Sequence, residues 1–544
     1  MKPQNLLFSH LFLGSALALA LPNGVHLSLD GDDDSASSNA SNKSAIKWAP
    51  CELDLGNETL DAMTEKLDCA LLTVPLDYTS MSTGETINLQ LIRARAKKKP
   101  FKGSVLINPG GPGGSGVEHV AAAGPGYRDI LGGHFNVIGF DPRGTGRTLP
   151  FICDVPDSAN SSAFARREFN TLPLSDNWDS LKKDFWEEAD ALAEACYRDQ
   201  GQNGRYIGTA FVARDMLSIV DALDQGPRLN YWGTSYGTVL GQVFASKFPD
   251  RVGRMLLDSN LLADDYLTTT CISGQRDTER ALRNVFNECV DAGPETCPLA
   301  NFSGPDTTGR DLLTAVHKLF EELIGKPSPH NPKVTGDAVV AEFKWTIIGF
   351  LYSPTQFSTV MERVAYALNG DWDKALAQTP EPKSKWSLSS DSNFFGISCG
   401  DSSFRVETPD DLYSIYRAHL AQSSFADGIM KQELLCARWR MDAVEKVDTN
   451  DLRNVKTSFP ILFVNGIYDP VTPASNAWEA SARFRGSRVL IHEGAGHGLT
   501  AHPSNCTNEA VRKYFHEGEL PKVGTTCKPN MSGFSYAGKL LVEG

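Results

Sequence analysis

The stretch YWGTSYGTVLG, Tyr231 to Gly241, decides how the rest of the chain is read. Gly233-Thr234-Ser235-Tyr236-Gly237 fits G-x-S-x-G. A serine flanked this way can sit in a plain tight turn. The neighbours favour something else. LNYWG before it is a short β-rich apolar run, and YGTVLGQVFASKFPD after it has helical spacing. A serine at a sharp strand-to-helix bend has its hydroxyl lifted above the sheet, and small residues two positions either side give that bend clearance. The helix that starts at once also aims backbone N–H groups at the site, which favours developing negative charge.

Working outward, GSVLINPGG holds a strand ending at Asn108, and FNVIGFDPRG one ending at Asp141. TAFVARDMLSIVDALDQ spaces Phe211, Met216, Val220 and Leu223 as one helix face. RMLLDSN, FPILFVNGIYDP and SRVLIHEGAGHG are further short strands with turn residues behind them. Strands alternating with helices predict a mostly parallel central sheet with helices on both faces. Between Ala263 and Thr457 the pattern changes. RALRNVFNECV, GRDLLTAVHKLFEELIG and FSTVMERVAYALNG read as helices joined by Pro/Gly/Ser-rich loops, an inserted, mainly helical cap.

A serine hydroxyl is a weak nucleophile until a base takes its proton. On this type of sheet the base and its orienting acid follow in the order Ser, Asp or Glu, His. NGIYDPVTP places Asp469 just past a strand end, and HEGAGHG places His497 in a small-residue loop after the next strand. Asp469 is expected to accept the Nδ1 proton of His497 and fix its tautomer. His492, inside a strand pattern, and His502, entering the terminal helix, are weaker candidates for the base. Asp258, at the end of the strand after the nucleophile helix, is the weaker alternative for the acid. The oxyanion needs donors. The Tyr236 N–H is one, and the NPGGPGGSG loop, Asn108 to Gly116, offers the Gly111 N–H as the second. Asp141, in FDPRGTGRT, reads as a loop-holding residue paired with Arg143 or Arg147. Activity is expected to fall below about pH 6 as His497 protonates, given an ordinary imidazole value near 6.5. The expected fold class is therefore α/β: an α/β-hydrolase fold with an inserted helical cap.

The remaining features set the surroundings. In 544 residues, 41% hydrophobic side chains suffice for a large core. The formal charge of −14 argues against nucleic-acid or anionic-membrane partners. Residues 1–20 carry Lys2, an apolar run and Ala18-Leu19-Ala20, a secretory signal peptide by pattern. Residues 21–45, rich in Asp, Ser and Asn, read as a flexible leader. The core then spans 46–262 and 458–544 around the cap at 263–457. No zinc-like Cys/His spacing or phosphate-loop pattern occurs, so neither metal nor cofactor is expected. Eleven cysteines fit a secreted, disulfide-bonded chain. Proximity suggests Cys51–Cys69, Cys289–Cys297, Cys399–Cys436 and Cys506–Cys527, with Cys153–Cys196 plausible and Cys271 outside the pairs; spacing alone does not fix this connectivity. Glycosylation sequons stand at Asn39, Asn42, Asn57, Asn160, Asn301, Asn505 and Asn530. The Lys97–Lys99 run reads as a solvated loop, and nothing assigns an oligomeric state.

Taken in order, NPGGPGGSG, DPRGTGR, GTSYG, NGIYDPVTP and GAGHG resemble the secreted tripeptidyl-aminopeptidase-like branch of the prolyl-aminopeptidase group of α/β-hydrolase serine peptidases. The resemblance runs from VPLDY at Val74 to near Cys527. It implies peptide substrates and cleavage near a free N-terminus, with Ser235, His497 and Asp469 as the triad. One departure is visible: prolyl aminopeptidases usually have His-Gly-Gly-Pro-Gly, and Pro109 holds the histidine position here. That weakens an expectation of strict proline specificity. An exopeptidase also needs an anion for the terminal ammonium. Asp401, in ISCGDSSF, is the candidate, with a surface-loop aspartate as the plain alternative and Glu433 behind it.

Overall fold

The computed structural model describes residues 46–56, 67–80, 84–154, 172–176, 178–268, 270–328, 334–377, 385–386, 391–429 and 435–543. The expected signal peptide and leader lie outside the described residues, as do Asn39, Asn42, Asn57, Asn160 and Glu433.

Among the described residues, ten strands make one sheet: β1 (Ala49–Pro50), β2 (Asp68–Pro75), β3 (Thr86–Ala94), β4 (Ser104–Asn108), β5 (Asn136–Phe140), β6 (Leu229–Ser235), β7 (Val252–Asn260), β8 (Leu462–Tyr468), β9 (Arg488–Ala495) and β10 (Thr526–Cys527). Their order is β1-β2-β3-β5-β4-β6-β7-β8-β9-β10. The first three are antiparallel to their neighbours, and every pairing from β5 onward is parallel. Side chains along β4 alternate faces: Leu106 enters one core with Tyr231 and Leu257, while Val105 and Ile107 enter the other with Trp232 and Leu256. Both faces are thus covered, which is why these strands read as continuous apolar runs.

Helices α1 (Gly116–Ile130), α2 (Thr209–Leu223) and α3 (Tyr236–Lys247) belong to the sheet's layers. Strands β7 and β8 are hydrogen-bonded neighbours, yet all the chain from Leu261 to Ile461 separates them. That stretch includes α4 (Thr278–Ala292), α5 (Gly309–Leu323), α6 (Gly336–Leu351), α7 (Phe357–Leu368) and α8 (Asp391–Asp401). Helices α4 to α7 share a third core around Phe286, Phe320, Phe343 and Ile347, which reaches the sheet at Ala495 of β9. Helix α9 (Asn505–Glu517) follows β9.

Disulfides join Cys51–Cys69, Cys153–Cys196, Cys289–Cys297, Cys399–Cys436 and Cys506–Cys527, the pairs that proximity suggested; Cys271 lies outside them. Asn301, Asn505 and Asn530 are exposed. Asn530 Oδ1 accepts the Asn505 N–H at 2.9 Å, and Asn530 Nδ2 donates back to Asn505 Oδ1 at 3.3 Å. No helix among the described residues is long and apolar enough to cross a membrane.

The DPRG turn after β5 corrects one expectation. Arg143 does not pair with Asp141. It forms a fully buried ion pair with Asp215 of α2 at 2.6 Å and donates to the carbonyl oxygens of Pro75 and Leu76 at 2.5 Å. The Tyr78 hydroxyl donates to Asp215 at 2.8 Å. One guanidinium therefore ties β2, the β5 turn and α2 together. Removing one partner leaves the other charge buried without compensation, which costs about 3–5 kcal/mol. Asp215→Ala is expected to lose about that much in denaturant unfolding; a loss within about 1 kcal/mol of zero would show the cluster to be dispensable.

Candidate active site

Ser235 closes β6 and opens α3 with φ 59° and ψ −125°. For a residue with a Cβ this conformation costs about 1–3 kcal/mol and persists only where its surroundings enforce it. They do so closely. Tyr231 Oη donates to the Gly237 carbonyl at 2.8 Å, and Thr238 Oγ1 donates to the Ser235 carbonyl at 2.6 Å. A Cβ on Gly233 would lie 2.3 Å from the Gly237 oxygen, and one on Gly237 would lie 2.7 Å from the Asn108 oxygen. Strand, helix and the end of β4 approach so tightly that side chains at those two positions do not fit. Ser235 itself is 8% exposed.

The glycine-rich loop after β4 meets this bend. Gly110, at φ +100°, is the residue pressed against it: a Cβ there would fall 2.6 Å from the Thr234 oxygen and 2.8 Å from Ser235 Cβ. The sequence singled out Gly111, not Gly110. The Gly110 N–H is committed to Asn108 Oδ1 at 3.0 Å, so the next amide, that of Gly111, remains the loop's candidate donor beside Tyr236 N–H. Asn393 of α8 reaches down from the insertion and donates through Nδ2 to the Gly113 carbonyl at 3.3 Å. At the base of the loop, Asp141 Oδ1 accepts from Ser115 Oγ at 2.6 Å and the Val117 N–H at 3.1 Å, and Oδ2 accepts from Trp386 Nε1 at 2.9 Å. Asp141 thus holds the start of α1, and the Arg147 guanidinium stacks over Trp386 at 4.4 Å.

Asp469 follows β8 and is fully buried. Its oxygens accept the Val471 and Thr472 N–H groups at 3.0 and 2.9 Å and the Thr472 hydroxyl at 2.7 Å. His497 Nδ1 lies 2.9 and 3.1 Å from the two oxygens. Burial works to raise the carboxyl, but His497 and Thr472 outweigh it and hold Asp469 below the usual carboxylate range. Burial works to lower the imidazole, yet the Asp469 charge, helped by Asp258, raises His497 above its ordinary value.

Three consecutive amides anchor the histidine loop. His497 N–H donates to the Tyr352 carbonyl at 2.8 Å, Gly498 N–H to Ser259 Oγ at 2.8 Å, and Leu499 N–H to both Asp258 oxygens at 3.1 Å. Tyr352, the residue after α6, also packs its ring edge-on to the imidazole at 4.9 Å between centroids. A Cβ on Gly498 would stand 3.4 Å from Thr234 Cγ2, so the loop lies against the residue that precedes Ser235. Ser235 thus ends β6, and the hydrogen-bonded Asp469–His497 pair follows the C-terminal ends of β8 and β9 on the same edge of the sheet. The other histidines are occupied elsewhere: His492 Nδ1 with Thr507 at 3.1 Å, and His502 with the Ala495 N–H and the Met531 carbonyl.

Asp401 is not on a surface loop. It ends α8, is 5% exposed, and accepts from the Thr209 N–H at 2.7 Å, the Thr209 hydroxyl and Tyr266 Oη. Thr209 Oγ1 also hydrogen-bonds Tyr236 Oη, so a chain of hydroxyls connects Asp401 to the side chain next to Ser235. Burial pushes the carboxyl up to about 6 against the hydrogen bonds from Thr209 and Tyr266 and the Lys446 charge, and among the described residues no cation comes within ion-pair distance of it. Gly110, Asn393, Thr472, Tyr352 and Ser259 carried no sequence signal beyond their place near a motif. Each acts through a contact that only the folded chain creates.

Two family models match the chain, one described as alpha/beta hydrolase fold over residues 103–287 and one as TAP-like protein over residues 422–527. The first span contains Ser235; the second contains Asp469 and His497. A tripeptidyl aminopeptidase of Streptomyces lividans is 27% identical over 509 residues, 90% of this chain and 87% of its own. Serine protease Hip1 of Mycobacterium tuberculosis is 26% identical over 500 residues, covering 89% and 91%. Carboxylesterase B of Mycobacterium tuberculosis is 27% identical over 478 residues, covering 85% and 86%.

Two outcomes are expected. Gly110→Ala forces a Cβ into the Ser235 bend and should lower kcat/KM by about 100-fold or more with the fold retained, comparable to losing one oxyanion donor; near-normal turnover would refute the close packing. His497 acts as a base only when neutral, and its raised pKa keeps it protonated to higher pH. The acid limb of kcat/KM should therefore lie above about 6.5, not near 6 as the unperturbed value suggested; a limb below 6 in a pH-rate profile would contradict the geometry.

Proposed function

We propose that this chain, which belongs to the serine hydrolases of the α/β-hydrolase fold with a TAP-like C-terminal segment, is a secreted exopeptidase that cuts peptide bonds near a free N-terminus. The observation that carries this reading is the placement of the strained Ser235 bend and the buried Asp469–His497 pair at the same end of the sheet, with Gly498 lying against Thr234. The tripeptidyl aminopeptidase relative, matched over 90% of this chain, supports the substrate class. Five disulfides and the exposed sequons support an oxidising, extracellular setting.

In this reading Ser235 Oγ attacks the scissile carbonyl while His497 Nε2 takes its proton. Asp469 holds Nδ1–H and stabilises the imidazolium. The Tyr236 and Gly111 N–H groups receive the oxyanion. The imidazolium then gives its proton to the leaving amine, and water, activated by His497, releases the acyl group from Ser235. Asp401 supplies negative charge on the cap side. A buried carboxylate whose hydrogen-bond partners are all neutral is costly. Lys446 acts on it only through space, and a substrate ammonium would provide a direct counter-charge, which suits recognition of a free N-terminus.

A second reading, an esterase using the same residues, is favoured by the carboxylesterase B relative. Free and N-acetylated tripeptidyl or aminoacyl amides, assayed beside short acyl esters, separate the two. Preference for free N-termini is expected; equal cleavage of blocked and free peptides, or of esters alone, rejects the exopeptidase. A fluorophosphonate should label Ser235, and Ser235→Ala should lose several orders of magnitude in kcat while staying folded. Asp401→Asn is expected to raise KM about tenfold for free peptides and to leave N-acetylated ones unchanged. Equal effects on both would remove Asp401 from recognition.

A further inference from the structure

Resting on the triad reading above, we propose that Asp258 is a positioning residue for His497: a second buried carboxylate that pins the histidine loop through its backbone and supports the imidazolium through its charge. Strand β7 ends in Asp258-Ser259-Asn260, with Ser259 at φ +58°. This left-handed turn of the strand end directs two adjacent side chains at two adjacent amides. Ser259 Oγ takes Gly498 N–H, and the Asp258 carboxylate takes Leu499 N–H through both oxygens. Gly498 is the residue directly after the base, so this clamp sets where His497 can stand.

A neutral acceptor would suffice for that hydrogen bond, so the buried charge needs its own reason. Asp258 is 1% exposed and has no lysine or arginine ion-pair partner among the described residues. Burying an uncompensated carboxylate costs several kcal/mol. The groups facing it are Trp232 Nε1 of β6 at 3.4 Å, the Tyr127 ring system of α1 with His119 Nε2 behind its hydroxyl at 3.1 Å, Asp469 beyond β8, and His497. Burial pushes His119 down to about 4, so it stays neutral in the working range. Asp469 opposes the Asp258 charge. Only His497, when protonated during attack, offers a cation.

Burial pushes Asp258 itself up to about 7, so it titrates in the range where the enzyme's base titrates. The acid limb then belongs to the group His497, Asp469 and Asp258 together. The sign is fixed. An ionised Asp258 raises the imidazole, so removing its charge lowers His497 and moves the limb to lower pH.

The test compares Asp258→Asn with Asp258→Ala in the full chain. Asparagine keeps an acceptor for Leu499 N–H and removes the charge; alanine removes both. For Asp258→Asn the expected result is a limb of kcat/KM displaced downward by about half a pH unit or more, with KM within about twofold. Asp258→Ala should lose about 100-fold in kcat at the plateau, and asparagine should restore most of it. A limb that stays in place or moves upward in folded Asp258→Asn overturns the proposal, as does an alanine variant no worse than asparagine. If alanine prevents folding, the asparagine profile decides alone. Fluorophosphonate labelling of Ser235 keeps the two readings apart. Absence of labelling in the unaltered protein defeats the triad, whereas labelling with an unmoved limb defeats only the role of Asp258.

Discussion

A left-handed serine between a strand and a helix is unstable by itself, and most of the site can be understood as what holds it there. At φ 59° the Ser235 backbone would relax if either neighbour gave way. The strand is fixed by parallel pairing to β4 and β7, and the helix start is hooked back by the Tyr231 hydroxyl on the Gly237 carbonyl. Gly233 and Gly237 follow from that hook, since any Cβ there would collide with backbone. The loop after β4 must then come close enough to offer donors to an oxyanion, and Gly110 is the residue that pays for this approach. Sequence, local strain, packing and chemistry are linked at this bend by contacts below 3 Å.

Parallel pairing supplies the second requirement. Because β6, β7, β8 and β9 run the same way, their C-terminal ends share one edge of the sheet, and a nucleophile, its acid and its base can arrive from three different loops. The long chain between β7 and β8 does not disturb this, because the entropy of closing a loop rises only slowly with its length. The insertion also returns contacts to that edge. Tyr352 carries the histidine loop, Asn393 touches the glycine loop at Gly113, and Asp401 is linked through Thr209 to Tyr236. One helix, α8, therefore bears on the glycine-rich loop near its start and, through Thr209, on Tyr236 at its end.

What the sequence made legible were the features whose cause is local. A serine with glycines at fixed offsets, between a β-rich run and a helix, states its own geometry, and the Ser, Asp, His order follows along the chain. Contacts made across the fold left no such trace. Asp141 was expected to pair with Arg143 or Arg147, its near neighbours, but the partner of Arg143 is Asp215, 72 residues on. Nothing in the sequence marked helix α8, because residues 392–401 are buried almost all round; a helix with no wet face has no apolar stripe to detect. The surface-loop alternative for Asp401 stood open for that reason. Gly110 and Gly111 are adjacent glycines with positive φ, and only the position of Ser235 tells which is pressed against the nucleophile.

Two buried aspartates lie beside one imidazole, and what each accepts separates their roles. Asp469 meets the ring nitrogen itself and is surrounded by donors, so its charged form is favoured. Asp258 meets backbone N–H and an indole edge at longer range, so burial dominates and its proton is held far more tightly. Environments that drive like groups apart in pKa are how acid and base duties become distinct on one site. Asp258 reaches only the backbone of Leu499, two residues past His497, and a contact there cannot choose the histidine's tautomer. Of the two carboxylates Asp469 is the one that meets Nδ1, a nitrogen that Thr472 Oγ1 also approaches at 3.3 Å. In the proposed role Asp258 sets where the imidazole stands and how strongly it keeps a proton. The end of β7, the alternative place for the acid, thus bears a carboxylate that reaches the histidine loop at Leu499 and not at the ring.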